Sequence, residues 1–343
     1  MLDRGPRPWR TEPPGEIGIK GIGSYLGERF PISAIPELAA DPDALACYEK
    51  RGFRHYTRSP VQEPEMALRS CRETLRRSGL CAADIDAVVF GWTEHRFYDD
   101  MQERLGTHIL RGLGFHATHV LGIFMAGCCL TTELLRTARN LIVGEGYRNV
   151  LIVEAHRCNP DDSDRVIPPD QWVYGDGASS CIVTTDTPEF ALRSAVHISQ
   201  GLPDYRTVGH RCSFVHKTTN SHVVMMRALR HAQTSIKGIK QFFMPNASPG
   251  LVHNHARRMR IPLDRVYLAN VPVIGHPWSA DALINLHSYC HVRAPMPGDL
   301  FAAMAWAEGG FGAFVLQRTA HPMKIEAPDF PPVQPGPPNR DLP

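Results

Sequence analysis

Three residues of this sequence have the types needed for a nucleophile, a base and an orienting acid: Cys128, His276 and Asp281. Cys128 lies in LGIFMAGCCLTTELLRTARNLIVGEG (121–146), where an Ala-Gly turn meets the first turn of an apolar helix. Backbone N–H groups without helical partners and the positive end of the helix dipole gather there, and both stabilise negative charge. A thiolate in that position can attack a thioester and hold the acyl group covalently. The competing reading is a small residue at a helix–sheet contact, the commoner use of cysteine. Cys129 points to a different side of the helix and is the weaker candidate.

His276 and Asp281 belong to VIGHPWSAD (273–281). A histidine that acts as a base needs its second ring nitrogen hydrogen-bonded, and a carboxylate fixes the tautomer while stabilising the imidazolium. Pro277 suits a first helical position, which would put Asp281 about one turn in and within reach of His276. The same letters also describe a turn histidine followed by an acid that favours a helix N-terminus. Spacing alone leaves both open.

The elements that must carry these residues alternate. IGIKGIGSYL (17–26) reads as a strand, 63–80 as a helix closing on Gly79, and IDAVVFGW (85–92) as a buried strand. A helix over 128–146 and strands over 149–155 and 179–185 follow. The second half repeats the pattern, with helices expected over 225–242 and 250–260, a strand over 264–271, and strand, glycine turn and strand over 299–317. Such alternation implies an α/β fold with helices covering a largely parallel sheet, and its recurrence suggests two related halves. The ends, 1–15 and 325–343, are rich in proline and read as extended tails.

Composition limits the function classes. The 37 basic and 35 acidic residues give a net charge of +2, too balanced for a general nucleic-acid or membrane-surface binder. No stretch has the length of a signal-peptide or membrane-spanning segment, so a cytoplasmic protein is expected. Nine cysteines (47, 71, 81, 128, 129, 158, 181, 212 and 290) form no CxxC, which argues against a disulfide framework or zinc ribbon. The HNH at 253–255 has neither an HExxH nor a carboxylate cluster to make a metal site of it. Glu94 and His95 follow a strand end, where α/β folds often place ligands, but polar residues there also cap turns.

Five stretches carry a resemblance. They are IGIKGIGSYL at 17–26, EKRGFRHYTR at 49–58, the Cys128 segment continuing through Arg136, Ala138 and Leu141 to VLIV at 150–153, YGDGASSCIV at 174–183, and EGGFGAFVL at 308–316. In this order the chain resembles the thiolase superfamily, and within it the ketoacyl synthase III and chalcone-synthase-like proteins, over roughly residues 16–318. The resemblance implies a thiolase-like five-layered αβαβα fold of two pseudo-duplicated halves, 16–186 with the nucleophile and 187–318 with the histidine and acid. Tails at 1–15 and 319–343 would flank them. It further implies a homodimer, and a glycine turn at Gly309 and Gly310 that joins the Cys128 N–H in an oxyanion hole.

The chain departs from that family at its condensing pair. Members that condense have a histidine in a "PHQAN"-like segment and an asparagine in a "GN.S" segment; here the two positions hold Asn246 and His276, thirty residues apart as in the family. With the added Asp281, the arrangement resembles acyltransferases of antibiotic pathways that use a Cys-His-Asp triad.

The implied function is therefore transfer of an acyl group, with arylacyl and malonyl among the candidates, from an acyl carrier protein or CoA thioester to a hydroxyl, amine or thiol acceptor. Asn246 would orient the acyl carbonyl or the acceptor, or serve as a structural amide. The alternatives are a decarboxylating β-ketoacyl synthase III and a catalytically silent partner subunit. No cofactor or metal is expected beyond the donor's pantetheine, and no nucleic-acid or membrane partner. Arg257, Arg258 and Arg260 in HARRMR are the candidates for docking an acidic carrier protein, or else an ordinary solvated face.

Overall fold

A computed structural model describes residues 15–92, 101–115, 118–167, 172–199, 205–307 and 309–323. Nearly all of both expected tails, together with Glu94 and His95, lie outside these residues. Ten strands form one sheet in the order 266–267, 239–243, 300–306, 310–318, 190–199, 18–26, 177–184, 149–156, 87–91, 119–123. Counted along the chain within each half, both flanks read 3-2-4-5-1 from rim to centre. The halves meet through the pairs Gly18–Ala191 and Ile19–Phe190. Pairings match as well: the outer two contacts of each half are parallel and the inner two antiparallel. The repeat suggested by the sequence is thus a repeat of topology, while the largely parallel sheet expected is in fact mixed, with four parallel and five antiparallel pairings among the described residues.

Alternation along the strands builds the layers. Ala87, Val89, Val150, Ile152, Phe243, Phe301 and Phe314 face one core, shared by helices Leu130–Glu145 and Asp281–Arg293. Val88, Phe90, Leu151 and Val153 face the other side, against Glu63–Ser78 and Met101–Leu113. Phe242, Ala302, Met304, Ala313 and Val315 do the same in the second half, against Tyr205–His231 and Pro249–Met259. A central helix layer between two sheet halves, with an outer helix layer on each, gives five layers. Among the described residues, no helix is long and apolar enough to cross a membrane.

Two segments differ from the sequence reading. The helix expected at 225–242 belongs to a longer one, Tyr205–His231, and 239–243 is a strand. Ile239, Phe242 and Phe243 are buried there, and a turn through Ile236–Gly238 separates the two elements. The strand expected at 264–271 shrinks to Val266–Tyr267, because Pro272 opens a short helix, Val271–Ile274.

Candidate active site

Cys128 lies in a 3-10 turn, Gly127–Cys129, which runs into the helix Leu130–Glu145; the nucleophile candidate therefore precedes the α-helix rather than occupying its first turn. Gly127 has φ +51, and a Cβ there would stand 2.5 Å from Ala307 Cβ. Glycine is required both by the backbone and by the close approach of the two turns. Gly309 and Gly310 follow in the chain: Gly309 has φ +77, and a Cβ on Gly310 would lie 3.5 Å from the Ala126 carbonyl oxygen and 3.8 Å from Cys129 Sγ. Cys129 is fully buried, and burial holds its thiol in the protonated form, well above the usual range.

His276 arrives from the opposite half. Its N–H donates to the Val173 carbonyl at 2.8 Å, and its own carbonyl accepts from Gly175 N–H at 3.2 Å. Trp172 and Tyr174, flanking Val173, set their rings 4.6 and 5.3 Å from the imidazole. The ring is thereby held with Nε2 at 3.4 Å from Cys128 Sγ and Nδ1 at 2.5 Å from Asp281 Oδ2. Asp281 is the first residue of its helix, preceded by a 3-10 turn, Trp278–Ala280, with Pro277 at the cap. Both His276 and Asp281 are almost fully buried.

Burial by itself would strip the proton from His276. The Asp281 carboxylate and Cys128 outweigh it and hold the imidazole pKa up at about 10. Acylation of Cys128 would remove the cysteine's share of that effect, so the imidazole gives up its proton more readily once the acyl group is in place.

Asn246 makes contacts on both its side chain and its backbone. Its side chain donates to the Gly275 carbonyl at 2.9 Å and accepts from Asn285 Nδ2 at 3.0 Å, while its backbone N–H donates to Asp281 Oδ2 at 2.7 Å. It is completely buried, and its amide oxygen and one of its amide N–H groups are engaged by protein. These contacts brace the His276–Asp281 turn, as the structural one of its two expected roles requires. Arg257, Arg258 and Arg260 are exposed at the end of the helix Pro249–Met259.

Sequence reasoning missed a second buried carboxyl. Glu154 Oε1 accepts from Ser179 Oγ at 2.9 Å and lies 2.7 Å from Thr131 Oγ1; Oε2 accepts from Ser279 Oγ at 2.5 Å. Thr131 Oγ1 is also 2.7 Å from the Ser279 carbonyl oxygen, which ties the cysteine's helix to the turn between His276 and Asp281. His156 Nε2 sits 2.8 Å from Ser279 Oγ, and burial keeps this imidazole neutral with a pKa of about 3. An acid inside the buried strand NVLIVEAH was the only signal. A pocket beside the sulfur is lined by Cys128, Met244, Trp278, Asp281, Met304 and Phe314, among others.

This fold has counterparts among solved structures. The ChlB3 acyltransferase superimposes with a TM-score of 0.78, covering 91% of this chain and 100% of that one at 18% identity. The priming β-ketosynthase of the R1128 polyketide pathway gives 0.76, covering 91% and 99% at 18% identity. The chain has the thiolase-type fold of the ketoacyl synthases III. In sequence, the thiolase-type chain is similar to the mycobacterial β-ketoacyl-[acyl-carrier-protein] synthase III of Mycobacterium tuberculosis (strain H37Rv), 27% identical over 190 residues. That match covers 54% of each protein, so the chain spans about half the length of this curated relative. No family model matches the sequence.

Proposed function

We propose that this chain is a ping-pong acyltransferase acting through a Cys128 acyl-enzyme, with 16–186 supplying the nucleophile and 187–318 the base and acid. The observation that carries the reading is the unbroken line from Cys128 Sγ through His276 to Asp281 Oδ2, at 3.4 and 2.5 Å. In loading, His276 Nε2 takes the thiol proton, the sulfur attacks the thioester carbonyl, and the donor's C–S bond breaks. The departing pantetheine thiol leaves with that proton. In transfer, His276 takes a proton from an acceptor hydroxyl, amine or thiol, the acceptor attacks the acyl carbon, and the bond to Cys128 breaks. Backbone N–H groups of Cys128 and of the Gly309–Gly310 turn would hold the oxyanion.

Transfer is favoured over condensation by the state of Asn246. Condensing relatives need a second side-chain donor on the enolate oxygen, and here one of the two amide N–H groups of Asn246 is committed to the Gly275 carbonyl. The donor, a carrier protein or CoA thioester, brings its own pantetheine, and no resident cofactor enters the scheme. Exposed Arg257, Arg258 and Arg260 offer an acidic carrier a docking face. A second copy of the chain is suited to the rim strand His119–Ile123, where Val120, Phe124 and Met125 are exposed.

The test uses malonyl-CoA labelled in the free carboxylate. The label is expected to stay with the acyl group; its release as carbon dioxide would establish condensation in place of transfer.

A further inference from the structure

Two residues that line the pocket beside Cys128 each carry a buried polar atom that pairs with nothing among the described residues: the indole Nε1 of Trp278 and the Oδ1 of Asp281. One is a donor and the other an acceptor, and they are three residues apart in the same turn. The two atoms are not leftovers of loose packing. Asp281 Oδ2 is engaged by His276 and by the Asn246 N–H, and the Trp278 ring is stacked on Tyr174 with centroids 4.3 Å apart. Trp278 is further held at φ +54, a left-handed conformation that a bulky side chain adopts only when its surroundings demand it. An unpaired buried donor or acceptor costs about 1–3 kcal/mol, and a neighbouring pair of opposite type is most simply satisfied by one group that both accepts and donates.

A hydroxyl is such a group. Carbonyls and carboxylates only accept, and an ammonium only donates. The cavity measures ≈ 10 Å³, room for about one water-sized group. Cys128 lines it and His276 does not, so a group bound there is reached from a chain carried on the sulfur rather than from an acceptor poised at the base.

Resting on the acyltransfer reading, we propose that Trp278 and Asp281 form a hydroxyl subsite, in which Trp278 Nε1–H donates to, and Asp281 Oδ1 accepts from, a hydroxyl on the acyl group to be loaded. The preferred donors are thus hydroxyacyl thioesters. Asp281 has two functions through its two oxygens, one orienting the base and one reading the substrate.

The test separates this subsite from the chemistry. Cys128→Ala, which can form no acyl-enzyme, is titrated with butyryl-CoA and with 2- and 3-hydroxybutyryl-CoA (both enantiomers) by calorimetry. At least one hydroxylated thioester is expected to bind about tenfold more tightly than butyryl-CoA, as a well-made hydrogen-bonded pair would give. In Cys128→Ala/Trp278→Phe, which keeps an aromatic ring and loses the N–H, that ratio should shrink to below about twofold. Equal affinities in Cys128→Ala would overturn the subsite and mark the cavity as holding a water alone. A preference that survives Trp278→Phe would overturn it too. Wild-type loading of Cys128 is followed in parallel: loading without a hydroxyl preference defeats the subsite alone, whereas the preference without loading defeats the acyl-enzyme scheme alone.

Discussion

Cys128 Sγ and His276 Nε2 lie 3.4 Å apart although 148 residues separate them, one in each half of a topologically duplicated fold. The contact depends on a backbone pairing, His276 N–H to the Val173 carbonyl, that docks one half's turn on the other half's chain.

In the proposed acyl transfer, that contact gives His276 the task of moving the proton. His276→Ala should slow release of the acyl group to an acceptor by about a hundredfold or more, the usual scale of a lost general base, while loading from an activated thioester falls less. Single-turnover kinetics of the two half-reactions check this. An equal loss in both would point to collapse of the site instead.

For Asn246 the expectation is structural. Asn246→Ala removes the partner of the Gly275 carbonyl, at about 1–3 kcal/mol, and leaves Asn285 Nδ2 only its longer bond to the Met244 carbonyl. Thermal unfolding should move down by several degrees, with KM for the thioester close to wild type once the protein is folded. A large rise in KM at unchanged stability would instead give this amide a place on the substrate.

The cysteine and the glycine turn were legible in the sequence because helix termini and positive-φ turns have local signatures: Ala-Gly before an apolar helix, and Gly-Gly between two strands. So was the doubled pattern of elements. The mixed pairing of the sheet was not, because a buried run such as NVLIVEAH is the same whether its neighbour runs parallel or antiparallel. Nor could spacing show that Asn246 faces Gly275 and Asn285, or that Glu154 collects hydroxyls from Thr131, Ser179 and Ser279. Those contacts join segments up to 125 residues apart, and only folding brings them together.

The two turns that frame the site share a boundary sensitive to a single methyl. Gly127→Ala forces a side chain into left-handed backbone, with its Cβ 2.5 Å from that of Ala307. It should cost about 1–3 kcal/mol of stability and abolish loading, since relief requires Ala307 and the turn that carries Cys128 to move apart. Denaturant unfolding together with acylation assays reads both effects.

Two buried histidines set opposite pH limbs. His276 has a folded pKa of about 10 against 6.5 in the free residue, so its stabilisation is present below pH 6.5 and is lost as pH rises toward 10. His156, at about 3 against 6.5, stays neutral in the fold while the unfolded chain takes up a proton, so stability falls as pH drops from 6.5 toward 3. Melting temperature against pH should flatten on the alkaline side in Asp281→Asn and on the acid side in His156→Gln. Unchanged profiles in these variants would contradict the assigned protonation states.

The central claim is that the sulfur of Cys128 carries the acyl group. Intact-protein mass spectrometry after mixing the purified chain with a panel of short, hydroxylated and malonyl CoA thioesters tests it directly. The account predicts one acyl group per chain with at least one donor, located at Cys128 by peptide mapping and absent in Cys128→Ala. No adduct with any donor, or an adduct that survives in Cys128→Ala, would contradict it.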